Sequence, residues 1–325
     1  MAAAFAILLL PPRERFGGQR VPEATARWLG RGDHDSGDGD RLHDWLDILP
    51  RGWPAAAITR QRDAGDAAGA TWLRADPVYI QPDINGARLL SHGDALGLTA
   101  DDAAAFMPAL RPLFGDIGMP IDAPVPTRWY LRAPPGAKLP AMAAPDQAVG
   151  MDLFDHLPEG SEGRRWRALL SEAQVALHNH PRNAQRQAAG LAPVNSLWFW
   201  GAGTLPGHVT ANVSHALSDD DTVVAFFAAG GAHVDSLPDR RAGAGPTFDG
   251  RTLIDLRHAR DLALLDRDWL SPLLADMAAG RLAGFTLDFA DGHRVCVARS
   301  HRWRFWRRPW SAPGVAAPAV SEDAL

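Results

Sequence analysis

Along this chain, short apolar runs alternate with apolar stripes at helical spacing, and that alternation predicts its elements. Residues 1–10 (MAAAFAILLL) are too few to cross a bilayer and read as a first β-strand buried in a sheet. Thr99-Ala100-Asp101-Asp102 places a capping residue and an acidic first turn ahead of a helix running towards Phe114. Arg128 to Leu131 reads as a strand. Ser161 is expected to cap a helix on which Trp166, Leu169, Leu170, Ala173 and Leu177 share a face. Ser218 followed by Asp219, Asp220 and Asp221 starts another, which Gly230-Gly231 stops. Leu253 to Leu256 is a short strand, and Phe285–Phe289 and Val295–Ala298 flank Asp291-Gly292 as a hairpin. The expected fold class is α/β: a mixed sheet flanked by helices, with a less regular α+β N-terminal half.

Signals are densest from His178 to Gly203. Pro181 suits a first helical turn, Gly190 suits the position past a helix end, and Pro193 excludes continuation. Asn195 to Trp200 then reads as a buried strand entering Gly201-Ala202-Gly203, with Trp198 and Trp200 on one face. Asn183 and Arg186 share a helix face, Arg186 suits a phosphate or carboxylate, and the glycines permit close backbone approach. His180, Asn183, Arg186, Asn195, Trp200, Gly201 and Gly203 are therefore the candidate ligand-binding residues. The same residues also admit a structural reading, in which His180 and Asn195 bond local backbone and Arg186 pairs with an acid.

Composition narrows the function. A net charge of -5 argues against a bulk polyanion binder, and Cys296, the only cysteine, excludes a disulfide framework. The segment 301–310 (HRWRFWRRPW) interleaves arginines and aromatics, which is expected to form a last strand and not a nucleic-acid surface. Residues 31–40 fail the calcium-loop pattern and read as a solvated acidic loop. The histidines lack acids or cysteines at ligand spacing, so neither a metal nor another cofactor is expected. The expected organisation is 1–132 as an N-terminal region, 133–150 as a Pro-rich linker, 151–310 as the α/β region and 311–325 as a disordered tail. A cytoplasmic protein, with no membrane contact, is expected.

The His-Pro-x-Asn…Arg…Gly…Trp-Gly-Ala-Gly succession resembles the archaeal-type, cofactor-independent phosphoglycerate mutases. With Asn195-Ser196-Leu197-Trp198-Phe199-Trp200-Gly201, it resembles more closely the RpfE-type bacterial regulatory proteins, as do Leu29 to Asp33 and Ala75 to Val78. This implies a degenerate alkaline-phosphatase and phosphoglycerate-mutase-like fold. The departures carry weight. The first strand ends in Leu10-Pro11-Pro12 without the metal-binding acid of active mutases, no Asp-x-x-x-His-Asp follows, and Trp200 replaces the arginine before Gly201. The resemblance thus implies a non-catalytic or weakly catalytic regulatory protein that binds a small anionic, phosphorylated metabolite or a protein partner. The alternative is a metal-dependent phosphomutase or phosphohydrolase with a rearranged site drawn from residues such as Asp76, His180, His208 and Asp255.

Overall fold

The computed structural model describes residues 4–37, 39, 42–83, 86–139, 143–150, 160–239 and 250–314. The chain divides into two compact units. One is built from residues 1–48 and 208–325, and the second, residues 49–207, is inserted in sequence between them. The first unit opens with β1 (Phe5–Leu10), α1 (Glu23–Arg31), β2 (Asp33–Ser36) and β3 (Leu46–Leu49). The inserted unit holds α2 (Ala55–Ala64), β4 (Thr71–Asp83), β5 (Gly86–His92), α3 (Ala100–Gly115), β6 (Ile121–Val125), β7 (Arg128–Ala133), α4 (Pro145–Ala148), α5 (Gly160–His178), α6 (Pro181–Ala188) and β8 (Ser196–Thr204). The first unit resumes with β9 (His208–Ala211), β10 (His215–Leu217), α7 (Asp221–Ala229), β11 (His233–Asp235) and β12 (Arg251–Asp255). It closes with α8 (Leu262–Leu265), α9 (Ser271–Ala278), β13 (Gly284–Phe289) and β14 (His293–Ala298).

The first unit is a seven-stranded mixed sheet in the order β11-β10-β12-β1-β13-β14-β2. The strands from β11 to β13 run parallel, β14 pairs antiparallel with β13, and β2 pairs antiparallel with β14 and so runs with the parallel set. β1 lies in the middle, so FAILLL is covered on both faces and reads as an unbroken apolar run. Leu8, Leu10, Ile254, Phe285, Leu287 and Val295 pack with Leu29, Trp269 and Leu273 into one core. The mixed α/β architecture is as expected. The hairpin at Asp291-Gly292 forms, and Gly292 takes φ +83°, which the turn requires.

The inserted unit is an antiparallel sheet, β5-β4-β7-β6, with β8 on the other side of β4. Phe106, Phe114, Trp129, Trp166 and Phe199 are buried in it. Its helix α3 carries the predicted Thr99 cap as a full capping box with Asp102.

Several expectations are corrected. The cut between units does not fall in the Pro-rich 133–150 stretch, part of which forms α4; the strands that build the seven-stranded sheet come from both ends of the chain. Residues 301–310 form no strand: a 3-10 turn spans Arg299–Trp303, because β2 already occupies the edge of β14. Within the acidic 31–40 stretch, Asp33–Ser36 is that edge strand, with Asp33 ion-paired to Arg304. The α7 cap is Asp220, not Ser218. α5 begins at Gly160, ahead of Ser161. Residues 151–159 and 315–325 lie outside the described residues.

Candidate functional site

In parallel sheets, ligand sites gather beyond the carboxyl ends of the strands, where loops and helix starts converge. At that edge of the first unit, β10 and β12 are in register at Leu217 and Ile254, so the residues that follow, Ser218 and Asp255, are neighbours. Ser218 Oγ donates to Asp255 Oδ2 at 2.8 Å and accepts from the Asp220 amide at 3.0 Å. Asp220 Oδ1 accepts from the amides of Thr222 and Val223 at the start of α7. Arg257 closes the group. Its guanidinium contacts both oxygens of Asp255 at 2.8 Å and Asp220 Oδ2 at 2.8 Å. Burial pushes the Asp255 carboxyl up, but Arg257 and Ser218 outweigh it and hold the group below its ordinary value.

A second acid lies two strands away. Leu9 on β1 is in register with Asp255 on one side and Asp288 of β13 on the other. Asp255, Leu9 and Asp288 thus form one row across the sheet, and strand spacing puts the outer two about 9–10 Å apart at their backbones. Asp288 Oδ2 accepts from Trp45 Nε1 at 2.9 Å and Arg294 Nη2 at 2.7 Å, while its buried Oδ1 has no partner among the described residues.

This donor set does not fit a pair of catalytic metal ions. Two-metal phosphoryl transfer needs oxygen and imidazole ligands converging on ions about 4 Å apart. Here the middle position of the row is leucine, and each outer carboxylate already holds an arginine.

Beside this edge, positive charge is less compensated. Burial and the neighbouring Arg15 both pull Arg260 below its ordinary value. Arg260 Nη1 donates to the Arg257 and Ala259 carbonyls. Gln19 ties this segment down by donating to the Arg260 carbonyl at 2.9 Å.

The residues singled out from sequence lie in the inserted unit, and their polar groups are engaged by the chain itself. His180 caps α6, accepting from the Arg182 amide at 3.2 Å, with its ring 4.8 Å from Phe106. Asn183 Nδ2 donates to the carbonyls of Leu177 and Val194, and Oδ1 accepts from the Val194 amide, each at 2.8 Å. Arg186 donates to the Ala192 and Leu96 carbonyls and to Asp102 Oδ2 at 2.8 Å. Asn195 pairs with both backbone groups of Ile80 on β4. Trp200 is buried, donates to Asp76 Oδ2 at 2.7 Å, and lies under the Arg74 guanidinium. A Cβ on Gly201 would come within 2.9 Å of Ala55, and one on Gly203 within 2.5 Å of Pro54, so the glycines admit the start of α2. Two clefts in this unit, one lined by Met107, Arg111 and Asp122 and the other by Thr71, Arg132 and Leu205, include none of the seven.

Sequence reading missed Arg257, Asp220 and Asp288 as a set. Only the position of Asp255 at a strand end hinted at them.

No family model matches the chain. A 62-residue segment is 37% identical to the probable 2,3-bisphosphoglycerate-independent phosphoglycerate mutase of Geobacter sulfurreducens. The same length is 36% identical to the enzymes of Methanothrix thermoacetophila and Methanosarcina barkeri. Each match covers 19% of this chain and 16% of the relative, so it spans only a small part of those proteins. The cofactor-independent phosphoglycerate mutase of Thermoplasma acidophilum aligns over 91% of this chain and 89% of its own, with TM-score 0.44 and 14% identity. The PH0037 protein of Pyrococcus horikoshii aligns over 97% and 92%, with TM-score 0.48 and 10% identity. Over that 62-residue segment the chain is distantly similar to the phosphoglycerate mutases. Among the described residues, no helix is long and apolar enough to cross a membrane.

Proposed function

We propose that this chain is a regulatory protein of the RpfE type, related to the phosphoglycerate mutases but without their metal-dependent turnover. It binds a small phosphorylated anion, with a protein partner as the other class of ligand open to it. One observation carries the loss of turnover: in the row Asp255–Leu9–Asp288, the central acid is absent and each flanking acid is paired with an arginine. Arg15 and Arg260 favour the anion, because an anion between two like charges relieves their repulsion.

The test is a thermal-shift screen against phosphorylated three-carbon acids and inorganic phosphate, run beside a mutase assay with manganese. A rise in melting temperature with phosphorylated ligands, lost in Arg260→Ala, supports the reading. Stoichiometric manganese with measurable phosphomutase turnover sinks it and leaves the metal-dependent enzyme as the better account.

A further inference from the structure

At the start of β10 and along β11, on the far side of the first unit's sheet from β2, two imidazoles and a carboxylate converge. The strands pair in parallel with His215 opposite His233 and Leu217 opposite Asp235. Strand alternation puts His233 and Asp235 on one face, and the register brings His215 to the same face. His215 Nε2 lies 2.9 Å from Asp235 Oδ2, and His233 Nε2 lies 3.3 Å from that same oxygen. The two rings are 5.1 Å apart and tilted by 46°. One donor atom from each of the three residues falls within 4.8 Å of the others.

The geometry points to a binding site for a late transition-metal dication, of which zinc is the natural probe. Zinc takes imidazole nitrogen at about 2.0–2.1 Å and carboxylate oxygen at about 2.0–2.2 Å. Adjacent ligand atoms around such an ion therefore lie about 3.3–3.5 Å apart in a tetrahedron and about 3 Å in an octahedron. The two nitrogen–oxygen separations of 2.9 and 3.3 Å already match these edges. Two imidazoles with one carboxylate is a donor set that selects zinc, nickel, cobalt or copper over magnesium and calcium, which prefer all-oxygen shells. The site is also open. His233 is 73% exposed and Asp235 54%, so water or a ligand from another molecule completes the coordination.

Neither Asp255 and Asp288 nor Arg15 and Arg260 take part, so the inference stands apart from the anion-binding reading. The sequence alone hid the site, because His215 and His233 are separated by the whole of α7 and meet only through strand pairing.

The test uses the full chain without an affinity tag, freed of metal by chelation. Titration with zinc chloride, followed by calorimetry, is expected to show one zinc per chain, weakened at least tenfold in His233→Ala and in Asp235→Asn. Both side chains are exposed, so both variants should keep the wild-type melting curve in the absence of metal. Cobalt should replace zinc and give visible absorption bands that the variants lack. Zinc affinity unchanged in both variants, no binding up to millimolar zinc, or equal binding of magnesium would each overturn the inference.

Discussion

Trp200 and Gly203 both lie on β8 and solve different local problems. Trp200 fills the space beside Arg74 and supplies the second hydrogen bond to Asp76, whose other oxygen takes Arg74 Nε at 2.8 Å. Trp200→Arg, which restores the mutase residue type, would place a second guanidinium against a buried one. The expected cost is roughly 3 kcal/mol or more, read as a lowered midpoint in urea denaturation. A melting curve like that of the wild type would refute the packing described for Trp200. Trp200→Phe keeps the ring but strips one partner from a buried carboxylate, at a cost of about 1–3 kcal/mol. Gly203 poses a purely steric question. A methyl group there meets Pro54 at 2.5 Å, so Gly203→Ala should cost roughly 1–3 kcal/mol by forcing α2 off the strand. Full stability in that variant would show that the helix start yields cheaply.

The turn from α5 through α6 into β8 was legible where the signals are local. Pro181 is the first residue of α6, Gly190 takes φ +76°, and β8 begins at Ser196 after Pro193. What polar side chains face is not a local property. Arg186 meets Asp102 from α3, which lies 84 positions earlier, and Asn195 meets Ile80, which lies 115 earlier. No spacing rule reveals such partners, so a ligand-binding and a structural reading of the same residues look alike in sequence. Arg186 thus makes α6 a buckle onto α3, while Asn195 ties the residue before β8 to β4. Arg186→Ala should therefore unfold the inserted unit at lower urea, with a loss of about 3 kcal/mol or more, since it strips a partner from the buried Leu96 carbonyl, the half-buried Ala192 carbonyl and the buried Asp102 carboxylate. Arg186→Lys keeps the charge but not the fork and should recover only part of that loss. If Arg186→Ala matched the wild type, the buckle would be energetically idle.

At the scale of the whole chain, one sheet is interrupted by 159 residues, from Leu49 to Gly207; both crossings fall at short Pro/Gly turns, Pro50-Arg51-Gly52 and Pro206-Gly207, which resemble any other turn in sequence. The Pro-rich stretch drew attention instead, although it lies inside the inserted unit. The two units also carry opposite histidine chemistry. In the first unit, His34 Nδ1 lies 3.2 Å from His293 Nε2, and Ser36 Oγ lies 3.1 Å from His293 Nδ1. Burial, then Arg13 and His34, push His293 down to about 4, against partial compensation from Asp291 and Asp35. His34 and His301 are lowered too, chiefly by burial. The unfolded chain, with histidines near 6.5, then binds more protons than the folded unit as pH falls from 6.5 towards 4. Stability is complete above that window and is lost within it as His293 takes up its proton. In the inserted unit, burial pulls His92 down but Asp146 outweighs it, and the net direction is up. That contribution is present at low pH and lost as pH rises through the folded value. The lowered carboxylates of Asp63 and Asp102 weaken only below about their ordinary 3.8, outside this window. Hydrogen exchange at pH 7 and pH 5, corrected for intrinsic rates, should show strands β1, β13 and β14 less protected at pH 5 while β4 and β7 hold. In His293→Asn the difference between the two pH values should shrink in the first unit. Equal loss of protection in both units, or an unchanged pH response in that variant, would mean that the buried His293 does not govern acid stability.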